Sequence, residues 1–171
     1  MIAALVNEPY MEQVTQGKPG PGARYIKFET SDRLQSLSPS RADFDEILRE
    51  ATKELEKNLK TIDVKQIFGG VNQRLNETTG KKLNATLQQP VSLGISDSSR
   101  SHTTFLTMAK IVVPNGDYAG DYIVVTSTTM AFVRGKILTI YIIEAFAGPE
   151  TISGLKTFSQ DYVRAVFTSN R

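Results

Sequence analysis

The sequence predicts an α+β fold, an α/β/α sandwich in which helices flank a central, mostly antiparallel sheet. Three observations carry that expectation. Residues 103–113, 122–134 and 136–146 are apolar, β-branched runs, and the breaks between them hold Asn115-Gly116, Gly120 and Gly135. An amphipathic helix follows them from Pro149. The runs also look apolar on both faces. Tyr122, Val124, Met130 and Phe132 alternate with Ile123, Val125, Ala131 and Val133, and Leu138, Ile140 and Ile142 alternate with Ile137, Tyr141 and Ile143. A sheet buried on both sides needs a layer above and a layer below.

Taken in order, residues 1–22 read as an N-terminal arm or loop, and residues 23–171 as one domain. Two prolines and three glycines between Gly17 and Gly22 prevent a helix there. Residues 24–30 alternate as a short strand, with Tyr25 and Lys27 on one face and Ile26 and Phe28 on the other. Ser40 then has the chemistry of an N-cap, with Asp43 in the acidic first turn. Phe44, Ile47, Leu48, Ala51, Leu55 and Leu59 follow at helical spacing. A second helix is predicted over 63–79 from Val64, Ile67, Phe68, Val71 and Leu75, weakened by Gly69 and Gly70 and capped by Gly80. Residues 91–95 form a strand after Pro90, and residues 96–102 a polar connection into the three long strands. Arg134-Gly135 makes the tight turn between the last two. Ile152, Leu155, Phe158, Tyr162, Val163, Val166 and Phe167 give the final helix its apolar face.

Composition narrows the class of role. A length of 171 residues suits one domain with a sizeable core, and 40% hydrophobic content is that of a folded protein. Twenty basic against eighteen acidic residues leave +2, far short of a nucleic-acid footprint, so no nucleic-acid partner is expected. With no cysteine there are no disulfides, no thiolate chemistry and none of the common structural zinc sites. The longest apolar run, 137–146, contains Thr139 and Glu144 and is too short for a membrane helix, so no transmembrane segment is expected.

Few residues offer chemistry. His102 is the single histidine and has Asp97, Ser98, Ser99 and Ser101 beside it, the residue types of a nucleophilic relay. They fall within one short polar loop and no Gly-x-Ser-x-Gly elbow is present, so the loop reads as a solvated strand connection. Gly80-Lys81 resembles the end of a phosphate loop, but Lys82 stands where Ser or Thr is required and Leu75 where the first Gly should be. Asp43, Asp45, Glu46 and Glu50 read as a solvated helix face. Asn76 and Asn84 each begin a glycosylation acceptor triplet, a pattern frequent by chance. Arg74, Lys81, Lys82 and Lys110, and separately Arg134 and Lys136, make patches of ordinary surface size. No catalytic, cofactor-binding or metal residue is assigned.

Leu93-Gly94-Ile95-Ser96-Asp97, the run 126–138 with Tyr141, and the closing helix with Asp161-Tyr162-Val163-Arg164-Ala165-Val166 carry a resemblance over about residues 23–170. In these positions the chain resembles the PsbP/Mog-like fold family, which includes an extrinsic photosystem II protein, a nuclear Ran-binding protein and bacterial secreted proteins or lipoproteins. The resemblance implies a non-enzymatic binding or accessory domain with a protein partner, and transfers no functional residue. The acidic Ran-contacting surface and a photosystem metal site have no counterpart here. The expected setting is periplasmic or secreted, with a leader removed ahead of Ile2, the alternative being cytoplasmic. Two other roles fit the residues. One is a small-ligand-binding module with a pocket lined by Phe68, Tyr122 or Tyr141. The other is a hydrolase using His102, which requires the histidine within one water-mediated hydrogen bond of a serine hydroxyl.

Overall fold

The computed structural model describes residues 2–6, 24–30, 39–61, 69, 84–116 and 119–170. Seven strands form one antiparallel sheet: β1 (Ile2–Val6), β2 (Arg24–Glu29), β3 (Thr86–Leu87), β4 (Val91–Ser98), β5 (His102–Val113), β6 (Gly120–Val133) and β7 (Lys136–Ala145). Among the described residues two long helices accompany it, α1 (Arg41–Thr61) and α2 (Pro149–Ser169). Strand order is β1-β2-β7-β6-β5, and β3 and β4 share the outer side of β5. The three long strands lie where β-branched residues concentrate, because branched side chains pack well on a pleated surface. Their register runs unbroken from Val113↔Gly120 to His102↔Ala131 and from Val133↔Lys136 to Val124↔Ala145.

Register and burial together define the principal core. Ile26 pairs with Ile142, Ile142 with Ser127, and Ser127 with Leu106, so these four share one face. On that face Val125, Ser127, Thr129 and Ala131 of β6 and Ile140, Ile142 and Glu144 of β7 are all buried. Helix α2 lies on it, burying Thr151, Leu155, Ser159 and Val163, one every fourth residue. Leu155 and Val163 join Ile26, Leu106, Val125, Ile140 and Ile142 in one cluster, bordered by Phe28, Phe158, Tyr162 and Phe167. Arg24 and Glu144 are cross-strand partners at its margin. The Arg24 Nε donates to Glu144 Oε2 at 2.8 Å and the guanidinium lies 4.4 Å from the Phe158 ring centre. That pairing keeps the buried carboxylate from standing uncompensated.

The expected α/β/α sandwich is not what the chain builds. The structure is dominated by the sheet, and one helix, α2, forms a layer on it. Helix α1 meets the sheet at a corner: Phe44 in its first turn stacks on Phe132, ring centres 5.4 Å apart, and the Gln89 side-chain amide donates to the Leu59 carbonyl near its other end. Between these points Ile47, Leu48, Ala51, Leu55 and Leu59 are only half-buried. Among the described residues no second layer closes over Thr126, Thr128, Thr139 and Tyr141, which stay half-buried on the face away from α2. The expectation failed because it weighed the apolar ends of β6 and passed over its middle, Thr126-Ser127-Thr128-Thr129. Threonine favours a strand through its branched Cβ yet demands no apolar cover.

Other expectations were closer. Strand β2, the three long strands and α2 from Pro149 lie within a residue or two of their predicted bounds. Ser40 and Asp43 form a reciprocal cap. The Asp43 amide donates to Ser40 Oγ at 3.2 Å, and the Ser40 amide and hydroxyl both donate to Asp43 Oδ2 at 2.7 Å. The start of the expected arm is strand β1, paired with β2 from Ile2↔Glu29 to Val6↔Tyr25. The polar connection shrinks to Ser99, Arg100 and Ser101, because β4 continues to Ser98. The helix expected over 63–79 lies outside the described residues except for Gly69, which is helical.

Two outcomes follow. Ser127 Oγ is fully buried and finds no hydrogen-bond partner among the described residues. Ser127→Ala should therefore raise unfolding stability by about 1 kcal/mol in urea titration, whereas a loss would mean the hydroxyl is satisfied. The Ser40 hydroxyl and amide hold the Asp43 carboxyl below the usual carboxylate range. Its contribution to α1 is present above that range and is lost as pH falls through the lowered value. Helicity followed by circular dichroism should decline in acid, and Asp43→Asn should remove that part of the dependence.

Candidate functional site

One end of the sheet gathers most of the polar chemistry in the described structure. Three segments meet there: the β4–β5 hairpin, the β6–β7 turn and the C-terminal half of α2. Between them lies a cleft of about 620 Å³. Asp97, Ser99, Ser101 and His102 contribute from the hairpin, and Phe132, Val133 and Arg134 from the turn. Gln160, Arg164, Phe167 and Asn170 stand along the helix side.

The hairpin is rigidified by local bonds. The Ser99 amide donates to the His102 carbonyl at 2.8 Å, the Ser101 amide donates to Ser99 Oγ at 3.1 Å, and the Phe132 amide donates to the Ser101 carbonyl at 2.8 Å. The last bond ties the loop to the neighbouring strand. Strand β4 reaches the loop through register shifts between Ser92 and Gly94 and between Ile95 and Asp97. Gly94 sits at φ 91°, a left-handed conformation that only glycine adopts without strain. These bulges turn the strand so that Asp97 pairs with Thr104 while lying diagonal to His102.

His102 is held at both ring nitrogens. Its Nε2 is 2.9 Å from Asp97 Oδ2 and its Nδ1 is 2.9 Å from Ser99 Oγ. The imidazole is 14% exposed and lies 5.8 Å, centre to centre, from the Phe167 ring of α2. An ionised carboxylate only accepts hydrogen bonds, so Nε2 carries the proton, and in the neutral ring Nδ1 is left to accept from the Ser99 hydroxyl. The loop taken from sequence as a solvated connection thus holds an ordered Asp97, His102, Ser99 relay. The distance required of a His102 hydrolase is met directly, without a bridging water.

The far wall is set by helix-end chemistry. Arg134 and Gly135 have φ values of 49° and 72°, the pair of left-handed residues that a two-residue hairpin turn needs. From this turn Arg134 Nε donates to the Asn170 carbonyl at 2.8 Å. No basic residue stands in the last turn of α2, so Arg134 brings the cation that complements the helix C-terminus from another element.

Other sequence candidates are scattered. Tyr122 and Tyr141 do not share a pocket: Tyr141 pairs with Thr128, which lies six positions along β6 from Tyr122, or about 20 Å. Burial first, and the Glu29 carboxylate second, push the Tyr141 hydroxyl above the usual phenol value. Phe68, Asn76, Arg74, Lys81 and Lys82 lie outside the described residues, Asn84 is exposed just before β3, and Lys110 pairs with Asp121. A shallower groove of about 500 Å³ runs past Arg24, Gly154 and Phe158. Among the described residues, no three His, Asp or Glu side chains gather as a metal site would require, and no helix is long and apolar enough to cross a membrane.

The Arg134 contact has a measurable consequence. Arg134→Ala should loosen the end of α2 by roughly 0.3–1 kcal/mol, seen as faster hydrogen exchange at the amides of Thr168, Ser169 and Asn170. Unchanged exchange would show that the helix end is held without it.

No family model, no curated protein and no solved structure matches the chain.

Proposed function

We propose that this chain is a binding or accessory domain for a protein partner, as the PsbP/Mog-like resemblance implies, and that the partner docks along the β4 edge. One observation carries the reading. Val91, Leu93 and Ile95 are 55%, 40% and 49% exposed on a strand that, among the described residues, pairs with β5 alone. The register pairs Val91 with Met108 on one face and Ile95 with Phe105 on the other, and each such half-exposed apolar chain gains on the order of 1 kcal/mol when a partner removes it from water.

The form of the contact follows from the two bulges. They break the regular β4–β5 register and bend the strand, and bulged edges resist addition of another strand. The docking is therefore through side chains on both faces of the edge, with no extension of the sheet.

A photo-crosslinking side chain at Leu93, and separately at Lys156 on the exposed side of α2, tests this in the native cell. A discrete adduct is expected from position 93 alone, and Ile95→Glu should abolish it. Equal adducts from both positions, or none from 93, would remove the edge as the docking surface.

A further inference from the structure

The relay beside the cleft carries an inference that goes beyond partner binding and stands on different residues. The geometry points to Ser99 as an activated nucleophile for acyl transfer from small esters, with His102 as its base and Asp97 as the residue that positions the base. The juxtaposition is specific: two hydrogen bonds of 2.9 Å link a serine hydroxyl, the only histidine and a carboxylate, and the serine lines a cleft of about 620 Å³. This departs from the non-enzymatic role that the sequence led us to expect.

The chemistry uses the nitrogens in a definite order. As Ser99 Oγ bonds to the ester carbonyl carbon, its proton passes to His102 Nδ1. The carbon–oxygen bond to the leaving alkoxide then breaks, and the alkoxide takes that proton and departs as the alcohol. Water attacks the acyl-serine, gives one proton through Nδ1 back to Ser99 and releases the carboxylic acid. Asp97 keeps its charge throughout, holding the Nε2 proton and stabilising the imidazolium that forms twice in the cycle. The Ser101 amide donates to Ser99 Oγ at 3.1 Å, which leaves the hydroxyl proton directed at His102 Nδ1 and fixes the nucleophile against its base. Phe132 and Phe167 line the same cleft and favour a short aromatic or aliphatic acyl group.

The arrangement differs from the usual relay in one respect. Here the serine is bound to Nδ1 and the carboxylate to Nε2. That inversion follows from chain connectivity, because Ser99 is three residues before His102 and reaches the near ring nitrogen, while Asp97 approaches from β4. Proton transfer requires only that the accepting nitrogen lie within hydrogen-bond reach of the hydroxyl.

The experiment treats the whole chain with an alkyl fluorophosphonate and maps the adduct, alongside hydrolysis of p-nitrophenyl butyrate. A single adduct on Ser99 is expected, with hydrolysis lost in Ser99→Ala. His102→Gln and Asp97→Asn, shown folded by thermal melting, should each slow labelling about 100-fold. Because the chain has one histidine, the imidazole 15N spectrum gives a readout independent of activity. The neutral ring should carry its proton on Nε2, and Asp97→Asn should weaken that preference. An unlabelled Ser99 in the folded protein, labelling indifferent to His102→Gln, or a ring protonated on Nδ1 would each overturn the assignment. None of these results bears on crosslinking at Leu93, so the two proposals fail separately.

Discussion

The structure depends on the seating of α2 across β6 and β7. The helix buries one residue per turn, and the strands beneath it bury every second residue, so two periodicities meet in one core. Leu155 and Val163 supply bulk from the helix, Ile140 and Ile142 from the sheet, and Ser127, Thr129, Ala131 and Ser159 keep the remaining buried positions small. Thr104 and Thr129 satisfy each other's hydroxyls at 2.8 Å within this layer. That mixture explains how a buried stripe with several polar residues still makes a stable face.

The same seating decides where the chemistry lies. A helix laid along the sheet ends over the β4–β5 hairpin and the β6–β7 turn, so Phe167 comes against His102 and Asn170 comes within reach of Arg134. The cleft is the space left where a rounded helix end meets two tight turns. At the opposite end, Arg24 closes over Glu144 and Phe158, and the groove there is shallower. On the β4 edge Val91, Leu93 and Ile95 stay exposed to water.

Legibility followed the range of the interaction that decides each feature. Ser40 and Asp43 were readable because a helix cap is made by residues three apart, and Arg134-Gly135 because a tight hairpin selects its turn residues locally. The long strands were readable from β-branched runs. What was misjudged, the second layer, required knowing whether half-polar Thr128 and Tyr141 would be covered, which no local pattern states. The relay was visible as ingredients and was set aside as loop chemistry. A signal was available: if the turn is centred on Arg100 and Ser101, Ser98 pairs with Thr103, and Asp97 falls diagonal to His102 across the hairpin.

By itself the sequence determined the three long strands, the capped helix α1, the closing helix α2 and the Arg134-Gly135 turn, because each rests on periodicity or on conformations that few residues can adopt. Tertiary structure alone decided that, among the described residues, α2 forms the layer on the sheet while α1 meets it at a corner, that Val91, Leu93 and Ile95 would stay exposed, and that His102 would be held between Asp97 and Ser99 under Phe167. Burial and hydrogen-bond partnership at those places depend on which element arrives from far along the chain. A residue's own neighbours in sequence hold no record of that arrival.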